Sequence, residues 1–263
     1  MMDEEGMARR YGDARPANGA GSGPARRAFG APYESITFST ATRARTDLTI
    51  TLAAQPVFEL STSTPVSRRL RRSIRRCGER ALFERKTLDL EDLRRIDVLT
   101  LQHGMELLRL GPGDCGIVPA FWRSLTENRE SYALLCTEAQ HSPNPGSLLV
   151  EVVGGPEQAP LDVVDDILGR FETGARGLIL HIAPDVDTAL RLRGARVSCL
   201  AIDFAGVAHD GARDWQAAVD LIAAARQSCG QILLINLRPE RALGAQAAGA
   251  THAVFATLEP RMV

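Results

Sequence analysis

Six short apolar runs, at residues 116–118, 148–153, 177–182, 199–204, 231–235 and 253–255, recur along the chain with helical patterns between them. Each run is short enough to be a strand buried on both faces. A helix over residues 91–110 sets Leu101, Met105 and Leu108 on one face and stops at Pro112 and Gly113. Val164, Ile167, Leu168 and Phe171 form a second stripe after Pro160, and Val219, Ile222 and Ala225 a third within residues 215–226. Strand and helix alternating in this way imply an α/β protein with a parallel sheet, either closed into a barrel or open and doubly wound. There is no internal repeat. No Gly-x-Gly-x-x-Gly or Walker-type loop follows any expected strand, which weakens a nucleotide-binding open sheet and favours the barrel.

Residues 1–32 are rich in Gly, Ala, Arg and Pro without apolar periodicity, and read as a flexible, disordered tail. The first strand signal is the alternation of Leu48, Ile50 and Leu52, which leads into Gln55, Pro56, Val57, Phe58, Glu59 and Leu60. One domain is therefore expected over residues 33–263. With 44% hydrophobic residues it has enough apolar side chains for a sizeable core.

Charge excludes some functions. Thirty-one Lys and Arg against 32 Asp and Glu create no global field for nucleic acid or an anionic membrane, and no run approaches the length of a membrane span. The five cysteines are widely spaced without a Cys-x-x-Cys pair, so they read as buried thiols in a reducing compartment, and the chain as cytoplasmic. Ser73, Ser124 and Ser131 have no accompanying His and Asp arrangement for serine hydrolysis. His103, His141, His209 and His252 lack metal-ligand spacing and read as surface or capping residues. Asp185 with Asp187 is of a type that could hold a metal, but before a helical pattern Asp185 reads rather as an N-terminal cap, and Trp122 and Trp215 as packing residues.

Several segments, in order over residues 49–260, resemble an EAL domain, the cyclic di-GMP phosphodiesterase family. Residues 55–60 are similar to its opening Gln-Pro-Ile-Val-Asp-Leu strand. Leu70 and Arg72 match its Glu-x-Leu-x-Arg signature, and Ile96, Asp97 and Leu99 its Leu-Asp-x-x-x-Leu helix. Residues 149–152 resemble its Leu-Glu-Ile strand, 200–203 its Leu-Lys-Ile-Asp strand and 244–255 its last helix and strand. The resemblance implies a TIM-like (β/α) barrel whose first strand runs against the others. It also implies two divalent cations, held by carboxylates and an Asn, that activate water against a phosphodiester.

The same matching implies that the chemistry is gone. The signature Glu falls on Arg68, the ligand Asn on Pro119, the paired Asp on or beside His181 and the catalytic Lys on Ala201; no Glu fits near residues 235–238. Each lost oxygen ligand weakens a site for hard cations. The expectation is a degenerate domain, not an enzyme, with no metal and no cofactor: a regulator that binds a protein partner. Recognition of cyclic di-GMP is a secondary expectation, an altered metal-dependent phosphodiesterase the rival, and pairing through helices near the active-site face what the family implies for a homodimer. Arg72, Glu151, His181, Asp203 and Asn236 are the candidate ligand-binding relics, the plainer reading being hydrogen-bonded residues of a polar barrel mouth. Arg68, Arg69, Arg71, Arg75 and Arg76 form an anion or partner patch, read otherwise as a solvated helix flank. No aromatic residues are interleaved to stack bases, so nucleic acid is not an expected partner.

Overall fold

The computed structural model describes residues 34–83, 87–110, 114–126, 145–155, 158–171, 175–207 and 211–256. The expected N-terminal tail, Pro112, Gly113, Ser131, Cys136, His141 and His209 lie outside them. The elements run β1 (Ser35–Ala41), β2 (Asp47–Glu59), β3 (Thr64–Arg76), α1 (Leu90–Leu108), β4 (Gly116–Phe121), α2 (Trp122–Thr126), β5 (Leu148–Val153), α3 (Leu161–Phe171), β6 (Gly177–Ile182), α4 (Val186–Arg191), β7 (Cys199–Asp203), α5 (Ala212–Ser228), β8 (Ile232–Leu237), α6 (Ala242–Ala248) and β9 (His252–Phe255). No helix among the described residues is long and apolar enough to cross a membrane.

Strands β2 to β9 close into an eight-stranded barrel, with β2 antiparallel to both β3 and β9 and the rest parallel. This is the expected architecture, reversed first strand included. Alternation along the strands divides the core in two. Val57, Ile117, Ile179, Cys199, Ala201, Leu233, Ile235 and Val254 fill the lumen. Leu148, Val150, Leu178, Leu180, Leu200, Ile202, Ile232 and Leu234 face outward into the layer beneath the helices. Asp185 caps α4 by accepting from the Thr188 amide at 2.8 Å, as expected. Cys199 and Cys229 are buried, but Cys77 is exposed and Cys115 half-buried, so burial of the thiols is not general.

Two strands escape the sequence reading. β1 precedes the first expected strand and pairs only with β2, from Ser35 opposite Ala53 to Ala41 opposite Asp47. β3 contains the arginine cluster, which is therefore no helix flank: its residues project alternately to the lumen and to the helix layer. β3 pairs with β4 only at Arg68 and Arg69, yet follows β2 as far as Arg76 opposite Leu48. Beyond Arg69, β1, β2 and β3 thus continue past the barrel rim as a three-stranded extension on which α1 lies.

The close approach of α1 to β3 is made at Gly104, where an added Cβ would stand 2.6 Å from Leu70 Cδ1 and 3.7 Å from Val118. Leu70 is fully buried and has little room to yield. Gly104→Val should therefore lower stability by roughly 1–3 kcal/mol, measured as a drop in the urea midpoint without change of slope.

Candidate functional site at the barrel mouth

Glu151 on β5 is fully buried in the lumen, where an unpaired carboxylate would be strongly disfavoured. It is paired with Arg69 of β3. Arg69 Nε donates to Glu151 Oε2 at 2.6 Å and Nη2 donates to Oε1 at 2.9 Å, while Nη1 reaches Gln55 Oε1 on β2 at 3.0 Å. His181 Nδ1 on β6 lies 2.9 Å from Glu151 Oε1. Burial alone would raise the Glu151 carboxyl, but the Arg69 charge and the hydrogen bonds from His181 and Arg69 outweigh it and hold the group down to about 2. Ionised Glu151 can only accept, so His181 donates from Nδ1 and its Nε2 is left as the nitrogen available to the mouth.

Above this layer, Asn236 of β8 donates to Asp203 Oδ1 of β7 at 2.7 Å. Asp203 also accepts from the Ala205 amide at 2.8 Å, starting a turn of 3₁₀-helix. Asn236 has a φ of 58°, a conformation that Asn tolerates better than most residues, and it sits where the β8–β9 register shifts between Ile235 and Leu237. The strained backbone aims its amide across the strand ends. The four predicted polar residues therefore form two hydrogen-bonded pairs, Glu151 with His181 and Asp203 with Asn236.

A cleft of about 620 Å³ opens here, lined among others by Arg71, Arg75, His181, Asp203 and Asn236. Arg71 and Arg75 are exposed and form no salt bridge with any described residue. Leu82, exposed, and Phe83 add an apolar lip.

The remaining predicted residues lie elsewhere. Arg72 faces outward beneath α1, not into the mouth: its Nη1 donates to Asp97 Oδ1 at 2.6 Å and Thr100 Oγ1 at 3.1 Å, and its guanidinium stacks 3.9 Å over Phe121. Burial pushes the Asp97 carboxyl above its ordinary value against the pull of Arg72. Arg68 also points outward, 3.9 Å from Glu34, and Arg76 lies 3.8 Å from Glu79. Facing alternates on a strand, so matching Leu70 to the signature leucine gives the wrong parity: Arg69 and Arg71, not Arg68 and Arg72, face the lumen side. His103 stacks on Phe38 with ring centres 4.4 Å apart and His252 is half-buried in β9, so both pack and neither caps.

No protein-family model matches the chain, and no curated protein does. Solved structures match its shape. An EAL domain protein from Listeria monocytogenes superposes with a TM-score of 0.60 at 10% identity, covering 80% of this chain and 87% of that one. The fold is that of EAL domains. The Xanthomonas citri FimX EAL domain in complex with c-diGMP gives 0.58 at 15% identity over 80% of this chain and 87% of its own. Bacillus subtilis YkuI, a protein with an EAL domain solved with c-di-GMP and calcium, gives 0.58 at 12% identity over 80% of this chain and 55% of its own.

Divalent cations, which the EAL resemblance implies, do not fit the residues present. Both oxygens of Glu151 are engaged by the Arg69 fork, Pro119 and Ala201 offer no side-chain ligand, and no group of three His, Cys, Asp or Glu among the described residues would hold a metal ion. Arg69 places a tethered cation against the buried carboxylate instead.

Removing one member of the pair leaves a buried charge. Arg69→Met should cost about 3–5 kcal/mol, and Arg69→Met with Glu151→Leu should recover much of it; urea midpoints test both. Because the Glu151 value is depressed, its stabilisation is present above the ordinary 4.5 and lost as pH falls through about 2. The wild type should lose roughly 3 kcal/mol relative to the double variant between about pH 5 and pH 2, read from urea midpoints across that interval.

Proposed function

We propose that this chain is a non-hydrolytic EAL-fold regulator, working in cyclic di-GMP signalling by binding a protein partner and not by turnover. The observation that carries this reading is the bidentate Arg69–Glu151 pair, 2.6 and 2.9 Å long and buried in the lumen. Hydrolysis of a phosphodiester through metal-bound water requires carboxylate oxygens free to coordinate. Here the buried carboxylate is already saturated by a guanidinium and an imidazole.

A second reading concerns the mouth itself. Arg71 and Arg75, without a salt bridge to any described residue, present two cations to a cleft that also holds the His181 and Asn236 side chains. That supports a metal-independent receptor for an anionic ligand, cyclic di-GMP being the first to try. Guanidinium forks suit phosphate oxygens in geometry as well as charge. In that reading the ligand would set the exposure of the surface seen by the partner.

Calorimetric titration of cyclic di-GMP with and without magnesium, beside a hydrolysis assay under the same conditions, tests both readings. No turnover is expected in either condition. Metal-independent heat that falls about tenfold or more in affinity in Arg71→Ala or Arg75→Ala, with Arg72→Ala instead lowering stability, supports the receptor. No heat leaves the partner surface as the working part. Magnesium-dependent turnover would sink the non-hydrolytic reading.

A further inference from the structure

β1 is the last strand of the sheet, and its outer edge is open among the described residues. The Ala54 amide donates to the Glu34 carbonyl at 2.8 Å, and the register continues with Ile36 opposite Leu52, Phe38 opposite Ile50 and Thr40 opposite Leu48. The antiparallel pattern alternates, so these even-numbered residues exchange their backbone bonds with β2. The amides and carbonyls of Ser35, Thr37, Ser39 and Ala41 therefore point away from the sheet. Of these, only the Ala41 carbonyl receives a donor from a described residue, Arg95 Nη1 at 2.6 Å.

Edge strands in stable monomers are usually blunted by Pro, Lys, a bulge or an inward charge. Ser-Ile-Thr-Phe-Ser-Thr-Ala has none of these, and its pairing with β2 runs without a register shift. Ser35, Thr37 and Ser39 are exposed and small, leaving the edge accessible to another backbone. Its flanks are of opposite sign: Glu34 precedes the strand, while Arg43 and Arg45, both exposed, follow it. A strand acidic at one end and basic at the other is complementary to itself when antiparallel and repels itself when parallel.

We propose that the β1 edge is a docking surface for a second copy of this chain, joined antiparallel about a two-fold axis at Phe38 to extend the sheet across both molecules. In this register Thr37 exchanges bonds with the partner's Ser39, and the Ala41 amide donates to the partner's Ser35 carbonyl while the Ala41 carbonyl keeps Arg95. Phe38 faces the partner's Phe38 in a non-hydrogen-bonded position, and Glu34 comes opposite the partner's Thr42, one residue before its Arg43. The interface is isologous, so it closes at two copies and leaves no new edge. It lies on the extension beyond the barrel rim, not on the helices that the EAL resemblance implies, and does not depend on the reading of the mouth.

Sedimentation velocity on the full chain over a roughly hundredfold range of concentration tests it. The mass should rise from 28.5 kDa toward twice that value. Thr37→Pro removes only an outward amide, a place where an edge strand accepts proline, and should raise the dissociation constant about tenfold or more with the circular dichroism unchanged. Glu34→Arg and Arg43→Glu should each weaken the dimer, and the two together should restore it, a result that loss of folding cannot mimic. A chain monomeric throughout, or a dimer indifferent to Thr37→Pro and to the charge swap, overturns the proposal. So does slow hydrogen exchange at the Thr37 and Ser39 amides of the monomer, since another segment of the chain would then cover the edge.

Discussion

A carboxylate kept ionised in the middle of a barrel lumen needs a compensating charge, and in this protein that charge is covalently attached. Arg69 crosses from β3 to Glu151 on β5, with Gln55 and His181 completing the ring of contacts. The pair sets the tautomer of His181 and the orientation of the Gln55 amide, and it marks where the apolar lumen ends and the polar mouth begins. The guanidinium balances the buried carboxylate, and Arg71 and Arg75 add two further positive charges at the mouth.

The helix-facing side of β3 is held by a second arginine, and that contact repairs a gap in the sheet. β3 and β4 part after Arg69, so the end of β4 lacks its ladder partner on that side. Asp97 of α1 fills the gap: one oxygen accepts from Arg72 of β3 and the other from the Phe121 amide of β4 at 3.0 Å. One helix side chain thus ties together two strands that no longer touch through their backbones. The same helix supports the extension, taking the Arg43 amide on Asp92 at 2.9 Å and stacking His103 on Phe38. β1 is therefore a braced strand.

Much of the barrel was legible because buried parallel strands are written as uninterrupted apolar runs. Residues 148–153 and 177–182 match β5 and β6 residue for residue, and the runs at 199–204, 231–235 and 253–255 differ from β7, β8 and β9 only at their ends. Glu151, His181 and Asp203 stood out because each interrupts such a run, and Asn236 because it directly follows one. β3 was illegible for the complementary reason: six arginines in nine residues erase the apolar alternation, although Leu70 and Ile74 preserve it on the helix side. β1 carries Ser and Thr on its exposed face and only Ile36 and Phe38 toward α1, too little contrast to announce a strand. Arg69 could have been found by asking which cation neutralises a buried Glu151. The answer requires knowing which face of β3 looks inward, and composition does not give that.

The near-symmetry of Arg68-Arg69-Leu70-Arg71-Arg72 makes the electrostatics of β3 degenerate. Slide the strand by one residue and Arg68 would stand at Glu151 and Arg71 at Asp97, with both acids still neutralised. What such a slip cannot tolerate is Arg69 in the place of Leu70, against the Gly104 turn of α1, and Ser73 in the place of Ile74. Two aliphatic side chains, not the six guanidinium groups, select the native alignment. The charges can trade places along the strand at small cost, whereas a polar residue at position 70 would remove the term that distinguishes one hairpin from its neighbour by one step.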